Sequence, residues 1–169
     1  MATTFLTLDG VMESPETWTF PFFDGELGAT VGALLNRADA LLLGRVTYRG
    51  FVADGARPLR GVHTYVVSRT LRSLDWPDST LLAGDLTEQI GALKHRPGRD
   101  IAVSGSATLI RSLLEHDLLD ELHLLVHPVL VGRGKRLFTD DTVAKPLKLT
   151  MSKTFGTGVI HLRYEPATG

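Results

Sequence analysis

The sequence predicts an α/β fold with a largely parallel sheet and an antiparallel edge. Short apolar runs alternate with segments of helical periodicity through most of the chain, which is typical of parallel sheets with crossing helices. The last part differs, because residues 147–154 and 158–164 predict an antiparallel pair of strands joined at Phe155, Gly156 and Thr157. No repeat or linker interrupts the pattern, and 169 residues suit a single domain spanning 1–169.

The predicted elements follow one another in regular order. Alternation over residues 4–8 predicts the first strand, and residues 10–24 are expected to be irregular. Leu27, Val31 and Leu34 then recur at helical spacing. Later strands are predicted at 40–43, 64–67, 80–83, 101–103 and 122–126. Later helices are predicted at 45–53, from 86 to the Pro97 stop, and from 106 onward.

Two of these helices begin with residues that suit capping. Asp85 and Glu88 fit a capping box, in which Asp85 accepts a backbone hydrogen bond and Glu88 reaches back. Ser106 is a credible N-cap for a helix that buries Leu109 and Leu113. Both helix starts are therefore expected close to the ends of predicted strands.

Composition excludes several classes of function. Lys and Arg number 18 against 19 for Asp and Glu, so no charge excess favours nucleic acid or an anionic membrane. No segment has the apolar length of a membrane span, and residues 1–4 lack the basic start of a signal peptide. Because there is no cysteine, disulfides, thiolate catalysis and cysteine-based metal sites are excluded. We therefore expect a cytoplasmic protein without a nucleic-acid or membrane partner.

Three predicted strands end at small residues, namely Gly44, Ser68 and Ser104. The carboxyl ends of parallel strands meet at one edge of a sheet, where free backbone N–H groups bind nucleotide phosphates. Three such turns together predict a dinucleotide that lies across the sheet edge. The sequence therefore indicates a redox enzyme.

Each turn carries residues suited to one part of such a ligand. Gly44 allows close approach of the backbone, and Arg45 and Thr47 add a charge and a hydroxyl group that suit a phosphate. Arg69 suits a 2′-phosphate, which favours NADP over NAD. The small residues at 104–108 leave room for a pyrophosphate. Each turn also has a plain alternative: an ordinary strand-to-helix turn, a surface arginine, or a tightly capped helix.

The remaining polar and aromatic motifs are weaker. Asp9 ends the first strand on the predicted ligand side and is a candidate contact for a substrate, although Asp-Gly pairs are also common in turns. The aromatic residues within 18–23 either wall a flat heterocycle or cover the core. Ser104 and Ser106 lack the Gly-x-Ser-x-Gly elbow, which argues against a serine hydrolase.

The histidines do not predict a metal site. On a strand, His123 and His127 are about 13 Å apart at roughly 3.3 Å per residue, too far to share one ion. No neighbouring residue in the sequence completes a ligand set. We therefore expect all six histidines to be structural or on the surface.

These segments, taken in order, resemble the dihydrofolate reductase-like superfamily. The closer resemblance is to the reductase domain of the bacterial bifunctional riboflavin-synthesis deaminase-reductase and its stand-alone relatives. It covers nearly the whole chain and depends on the order and spacing of several segments. The matching segments are 8–10, 39–48, 67–71, 100–109, 119–122 and 128–138.

The resemblance implies a three-layer α/β/α sandwich around a mixed sheet, NADPH as the hydride donor, and often a homodimer. It also implies nine cofactor-binding positions. Gly44, Arg45 and Thr47 would hold phosphates, and Ser68 and Arg69 would hold the adenosine end. Gly105, Ser106 and Thr108 would lie under the pyrophosphate, and Leu109 would face the nicotinamide ribose.

One departure from the folate reductases concerns the substrate. Those enzymes place a buried carboxylate on the helix after the first loop, whereas Asp24 and Glu26 stand at the helix start, where they complement its dipole. This departure argues against folate reduction. The lack of a deaminase zinc motif likewise argues against the riboflavin step.

The sequence as a whole predicts an NADPH-dependent reductase that passes a hydride to a C=N or C=O group of a small substrate, with a pteridine- or pyrimidine-like heterocycle as the best match. Asp9 or a bound water is the candidate proton donor. The first alternative is a nucleotide-binding protein that kept the scaffold without turnover. The second is a subunit of an assembly with no ligand role.

Overall fold

The computed structural model describes residues 1–167 and contains four α-helices and eight strands. The strands are β1 (Ala2–Thr7), β2 (Ala38–Gly44), β3 (His63–Val67), β4 (Ser79–Leu82), β5 (Asp100–Ser104), β6 (Leu122–His127), β7 (Leu147–Thr154) and β8 (Ile160–Pro166). The α-helices are α1 (Gly25–Asn36), α2 (Arg45–Ala53), α3 (Leu86–Lys94) and α4 (Ala107–Glu115). Two short 3-10 helices, Pro15–Thr17 and Phe20–Phe22, occupy the segment predicted to be irregular.

All eight strands form one sheet in the order β4-β3-β2-β5-β1-β6-β8-β7. Strands β1 to β6 run parallel to one another, and β8 pairs antiparallel with both β6 and β7. The predicted sheet, mostly parallel with antiparallel C-terminal strands, is confirmed. Because β1 to β6 are all parallel, the carboxyl ends of these six strands lie on the same side of the sheet.

Alternate side chains of β2 show how the layers are built. Leu41 and Leu43 pack in a cluster with residues of α1 and α2, whereas Leu42 packs with residues of α3 and α4. Successive residues of a strand face opposite sides of a sheet, so the two pairs of helices cover opposite faces. The three-layer α/β/α arrangement is therefore confirmed. Within residues 1–167, no helix is long and apolar enough to cross a bilayer.

Both predicted caps are present, but one is built differently from the prediction. The Asp85 carboxylate accepts a hydrogen bond from the Glu88 N–H at 2.9 Å. The side chain that reaches back is Gln89 rather than Glu88, and its Oε1 accepts from the Gly84 N–H at 3.3 Å. Ser106 Oγ accepts from the Leu109 N–H at 3.4 Å, as predicted.

A partly buried polar network lies at the other end of the parallel strands, where β6 begins. The Glu121 carboxylate accepts two hydrogen bonds from Arg37 at 2.8 and 3.0 Å and one from His123 Nε2 at 2.9 Å. Arg163 lies 3.2 Å from the same carboxylate. The other ring nitrogen of His123 lies 2.9 Å from His161 Nε2. Within residues 1–167, no three His, Asp or Glu side chains are placed to hold a metal ion.

These contacts shift the pKa values of the network. Hydrogen bonds, first of all from Arg37, lower the pKa of Glu121 to about 2. Burial lowers the pKa of His123, and burial together with the neighbouring His123 lowers the pKa of His161 to about 4. The network is therefore stable with an ionised glutamate and neutral histidines.

Candidate functional site

The carboxyl ends of β2, β3 and β4 and the start of α4, which follows β5, open into one groove of about 750 Å³. Seven of the nine predicted cofactor positions line it: Gly44, Arg45, Ser68, Arg69, Ser106, Thr108 and Leu109. The other two, Thr47 and Gly105, do not line it but lie against each other, since a Cβ on Gly105 would be 3.2 Å from Thr47 Cγ2. The structure thus brings the three predicted turns together at a single surface.

Helix α2 begins at this groove without a side-chain cap. Its N-cap residue is Gly44, and no side chain accepts from the N–H groups of its first turn. Such N–H groups, with the positive end of the helix dipole, favour an anion. The start of α3 differs, because the Asp85 carboxylate already occupies it. The donors at the start of α2, together with Arg45, fit a phosphate group.

Gly44 is needed for the close packing of two turns. A Cβ at position 44 would lie 2.9 Å from Ser106 Cβ and closer still to Ser106 Oγ. Gly105 and Ser106 both have left-handed backbone conformations, with φ of 68° and 66°. For a serine this conformation costs about 1–2 kcal/mol. Strain of this kind concentrates at functional sites, so its presence in the groove supports a functional role for the turn.

The loop after β3 presents Arg69 at the groove. Ser68 is buried, and its Oγ accepts hydrogen bonds from the N–H groups of Thr70 at 3.2 Å and Leu71 at 3.0 Å. The hydroxyl oxygen of Ser68 is therefore used to build the turn, while Arg69 is exposed. Tyr48 of α2 holds the loop further on, since its hydroxyl accepts from the Asp75 N–H at 2.6 Å. The geometry favours a positioning role for Ser68, and its predicted contact with the adenosine end stays a prediction.

Asp9 lies outside the residues that line the groove and holds the glycine turn that follows β6. Its carboxylate accepts hydrogen bonds from the Gly132 N–H at 2.7 Å, the Val131 N–H at 3.3 Å and the Thr7 hydroxyl at 2.6 Å. These bonds, that of Thr7 foremost, lower the pKa of Asp9 to about 2. Because the carboxylate is ionised at neutral pH, the geometry favours a positioning role. The catalytic role stays a prediction.

Beyond the groove, aromatic side chains cover the ends of β1 and β6. His127, the last residue of β6, is fully buried and packs edge-on against Phe5, Trp18 and Phe22 at ring-centroid distances of 5.3 to 5.9 Å. Trp18 is only 6% exposed, whereas Phe20 is 85% exposed. Trp18 therefore covers the core, and Phe20 lies on the outside of the same segment.

Sequence reasoning missed part of the groove. Gly84 and Asp85 line it from the loop after β4, and Leu86 lines it from the start of α3. Ser112 of α4 and His116, which caps the end of that helix, line the other side. The sequence did carry a signal for this part, because the predicted strand 80–83 ends just before the capping residue Asp85. That pattern predicts another turn on the same side of the sheet. Ser112 and His116 follow Thr108 at intervals of four residues, which places all three on one side of the helix.

Comparison with known proteins extends these observations. Residues 1–161 match the model of the RibD C-terminal domain family. The Bacillus subtilis (strain 168) protein YyaP is 32% identical over 174 residues, which cover 94% of this chain and 90% of YyaP. Among solved structures, a putative riboflavin biosynthesis protein from Shewanella sp. PV-4 has a TM-score of 0.85 at 20% identity, covering 99% of this chain and 98% of that one.

Dihydrofolate reductase from Enterococcus faecalis, complexed with NADP(H), has a TM-score of 0.70 at 15% identity, and the match covers 99% of this chain and 95% of that one. At such identities the solved structures show the fold alone, and that fold is dihydrofolate reductase-like, as the sequence predicted. The family match spans nearly all of the chain and therefore adds evidence of common ancestry. The protein therefore belongs to the RibD C-terminal domain family and has a reductase-type fold.

Proposed function

We propose that this protein is an NADPH-dependent oxidoreductase that transfers a hydride to a C=N or C=O group of a small pteridine- or pyrimidine-like heterocycle. The observation that carries the proposal is the single groove into which the three predicted turns open. Its position at the carboxyl ends of parallel strands is where α/β sheets bind nucleotides. Membership of a family with a reductase-type fold supports the same function.

The residues of the groove suit successive parts of the cofactor. The uncapped start of α2 and Arg45 would hold the pyrophosphate together with the small residues at 105–106. Arg69 would hold the 2′-phosphate, for which a guanidinium group is well shaped. Bound NADPH would supply the hydride, and the protein would bind, orient and exclude water. Since β1 and then β6 lie next to β5 in the sheet, the nicotinamide end of the cofactor would lie towards these two strands.

Three finer features belong to the same proposal. The proton comes from a bound water, because the low pKa of Asp9 leaves that carboxylate ionised at neutral pH. The protein is a homodimer, as the resemblance implies. It is cytoplasmic, in keeping with the absence of cysteine from its sequence.

One observation favours the alternative of a nucleotide-binding protein without turnover. No acidic residue is among the buried residues of α1, which are Leu27 and Leu34. Asp24 caps the helix by accepting from the Leu27 N–H at 2.8 Å, and Glu26 pairs with Lys153 at 2.8 Å. The two acids near the start of α1 therefore have other partners.

Cofactor binding and turnover separate these possibilities. NADPH at a hundred times its dissociation constant is expected to stabilise the protein by about 2.7 kcal/mol, measured by thermal unfolding. Absorbance then follows NADPH oxidation with pterins, pyrimidines and small carbonyl compounds. Oxidation with one of these classes supports the reductase, and binding without oxidation favours the alternative. Unchanged stability would contradict both.

Replacing Arg69 with alanine is expected to weaken NADPH binding about tenfold and to leave NADH binding nearly unchanged, because a charged hydrogen bond to the 2′-phosphate is lost. Isothermal titration with each cofactor measures the two effects. Arg72→Ala is the matched control, since Arg72 is exposed on the same loop but does not line the groove. An equal loss for both cofactors would place the 2′-phosphate contact elsewhere.

A further inference from the structure

His127 has one ring nitrogen without a partner. Its Nδ1 lies 2.9 Å from the Leu125 carbonyl oxygen, so this nitrogen carries the proton and donates. Its Nε2 is then an acceptor, and within residues 1–167 this buried atom has no hydrogen-bond partner. Buried polar atoms in proteins are nearly always paired, because water no longer satisfies them. An unpaired one therefore calls for a physical explanation.

The same strand shows that the fold can satisfy a buried histidine. His123 lies four residues earlier and is 2% exposed, close to the 0% of His127. Both of its ring nitrogens have partners, namely Glu121 and His161. The difference between the two histidines lies in their surroundings and not in their burial.

The free nitrogen lies at the carboxyl end of β6, on the side of the sheet where the nicotinamide end of the proposed cofactor would lie. His127 pairs in register with Thr7, the last residue of β1, and β1 lies beside β5, which leads into the groove at Ser106. The hydroxyl of Thr7 is already engaged, since it donates to Asp9 and accepts from the Val11 N–H at 2.9 Å. Nε2 is therefore an unengaged acceptor beside the expected position of the reactive ring.

The surroundings of His127 suit a flat ring. Phe5, Trp18 and Phe22 pack edge-on around it at angles of 77° to 79°, so aromatic side chains surround the imidazole. Trp18 and Phe22 belong to one segment outside the sheet, and the Trp18 indole N–H donates to the Glu13 carbonyl at 3.1 Å. Because Trp18 and Phe22 pack directly on His127, a ligand bound to Nε2 would have to displace these two side chains.

We propose that His127 is a specificity-determining residue whose Nε2 accepts a hydrogen bond from a ring N–H or amino group of the heterocyclic substrate. The inference rests on the proposed function for the place of the substrate, but the free acceptor itself does not depend on it. Burial also lowers the pKa of His127, which keeps the ring neutral and Nε2 an acceptor at neutral pH. Heterocycles without an N–H donor are then expected to bind poorly.

Two matched probes test this role. 2,4-Diaminoquinazoline presents amino groups on a flat ring, and quinazoline is the same ring without them. Both are titrated by calorimetry into the wild-type protein, with and without saturating NADPH. The variants are His127→Leu, which removes the acceptor, and His127→Gln, which places an amide oxygen near the position of Nε2. His123→Leu is the control at a buried histidine of the same strand.

The wild-type protein is expected to bind the diamino compound at least tenfold more tightly than quinazoline. His127→Leu is expected to remove this difference and His127→Gln to keep part of it, with NADPH affinity unchanged in both. His127→Leu is also expected to keep or raise the melting temperature, because it removes an unpaired polar atom, whereas His123→Leu lowers it.

Several results would overturn the proposal: equal or absent binding of the two probes to the wild-type protein, undiminished discrimination by His127→Leu, or a melting temperature of His127→Leu as low as that of His123→Leu. A failure of NADPH to bind would overturn the proposed function instead. The difference between the two probes, measured without NADPH, would still decide the role of His127.

Discussion

Replacing Gly44 with alanine is expected to weaken NADPH binding at least tenfold while the protein still folds. The added methyl group would lie 2.9 Å from Ser106 Cβ, so the turn before α2 and the start of α4 must separate. Such overpacking typically costs about 1–3 kcal/mol. The movement displaces the N–H groups at the start of α2, which are the phosphate donors of the proposed site.

Calorimetric titration of NADPH and urea unfolding measure the two effects. Gly50→Ala is the matched control, because Gly50 lies within the same helix and a Cβ there would meet nothing within 4 Å. That substitution is expected to raise stability by up to about 1 kcal/mol and to leave NADPH affinity unchanged. If Gly44→Ala binds NADPH as tightly as the wild-type protein, the turn at Gly44 does not hold the cofactor.

Acidification is expected to destabilise the protein in two steps. In the folded state the pKa of His161 is about 4 and that of Glu121 about 2, whereas their ordinary values are 6.5 and 4.5. The unfolded chain therefore takes up protons first. The stabilisation from these groups is complete above pH 6.5. It falls between pH 6.5 and 4 because of His161, with His123 and His127 acting in the same direction. It falls again between pH 4.5 and 2 because of Glu121, with Asp9 acting in the same direction.

The contribution of Glu121 can be isolated by comparison with Glu121→Gln. The lowered pKa corresponds to stabilisation on the order of 3 kcal/mol at neutral pH. The difference in free energy of unfolding between the wild-type protein and the variant, measured in urea, is expected to shrink as the pH falls from 4.5 to 2. Other acidic groups cancel in this difference. A difference that stays constant over this range would show that the pKa of Glu121 is not lowered by folding.

Local signals in the sequence were sufficient for most elements but not for their arrangement. The predicted helix 45–53 coincides with α2, because a glycine before it and an amphipathic pattern within it mark both ends. The first strand was predicted at 4–8 but spans Ala2–Thr7, since its limits depend on pairing with Leu122 to His127. The position of β1 between β5 and β6 depends on contacts between distant residues, which no local pattern reveals.

In the candidate site too, some features could be predicted from local sequence and others could not. Small residues at strand ends predicted the turns that line the groove, because glycine and serine allow close approach of the backbone. The partners of Asp9 were not predictable, since Val131 and Gly132 lie more than a hundred positions away in the chain. The free nitrogen of His127 was missed for a similar reason: its significance lies in the lack of a partner, which only a folded structure can show.

The place of β1 in the sheet has a consequence for synthesis of the protein. Ala2 pairs with Val103 and Thr3 with His123, so the ribosome must make most of the chain before this strand has any neighbour. Until then the nascent polypeptide carries an apolar segment with unpaired edges, a state that invites aggregation or chaperone binding. The proposed nucleotide site also forms late, because the nascent chain lacks the end of β5 until translation has passed residue 104.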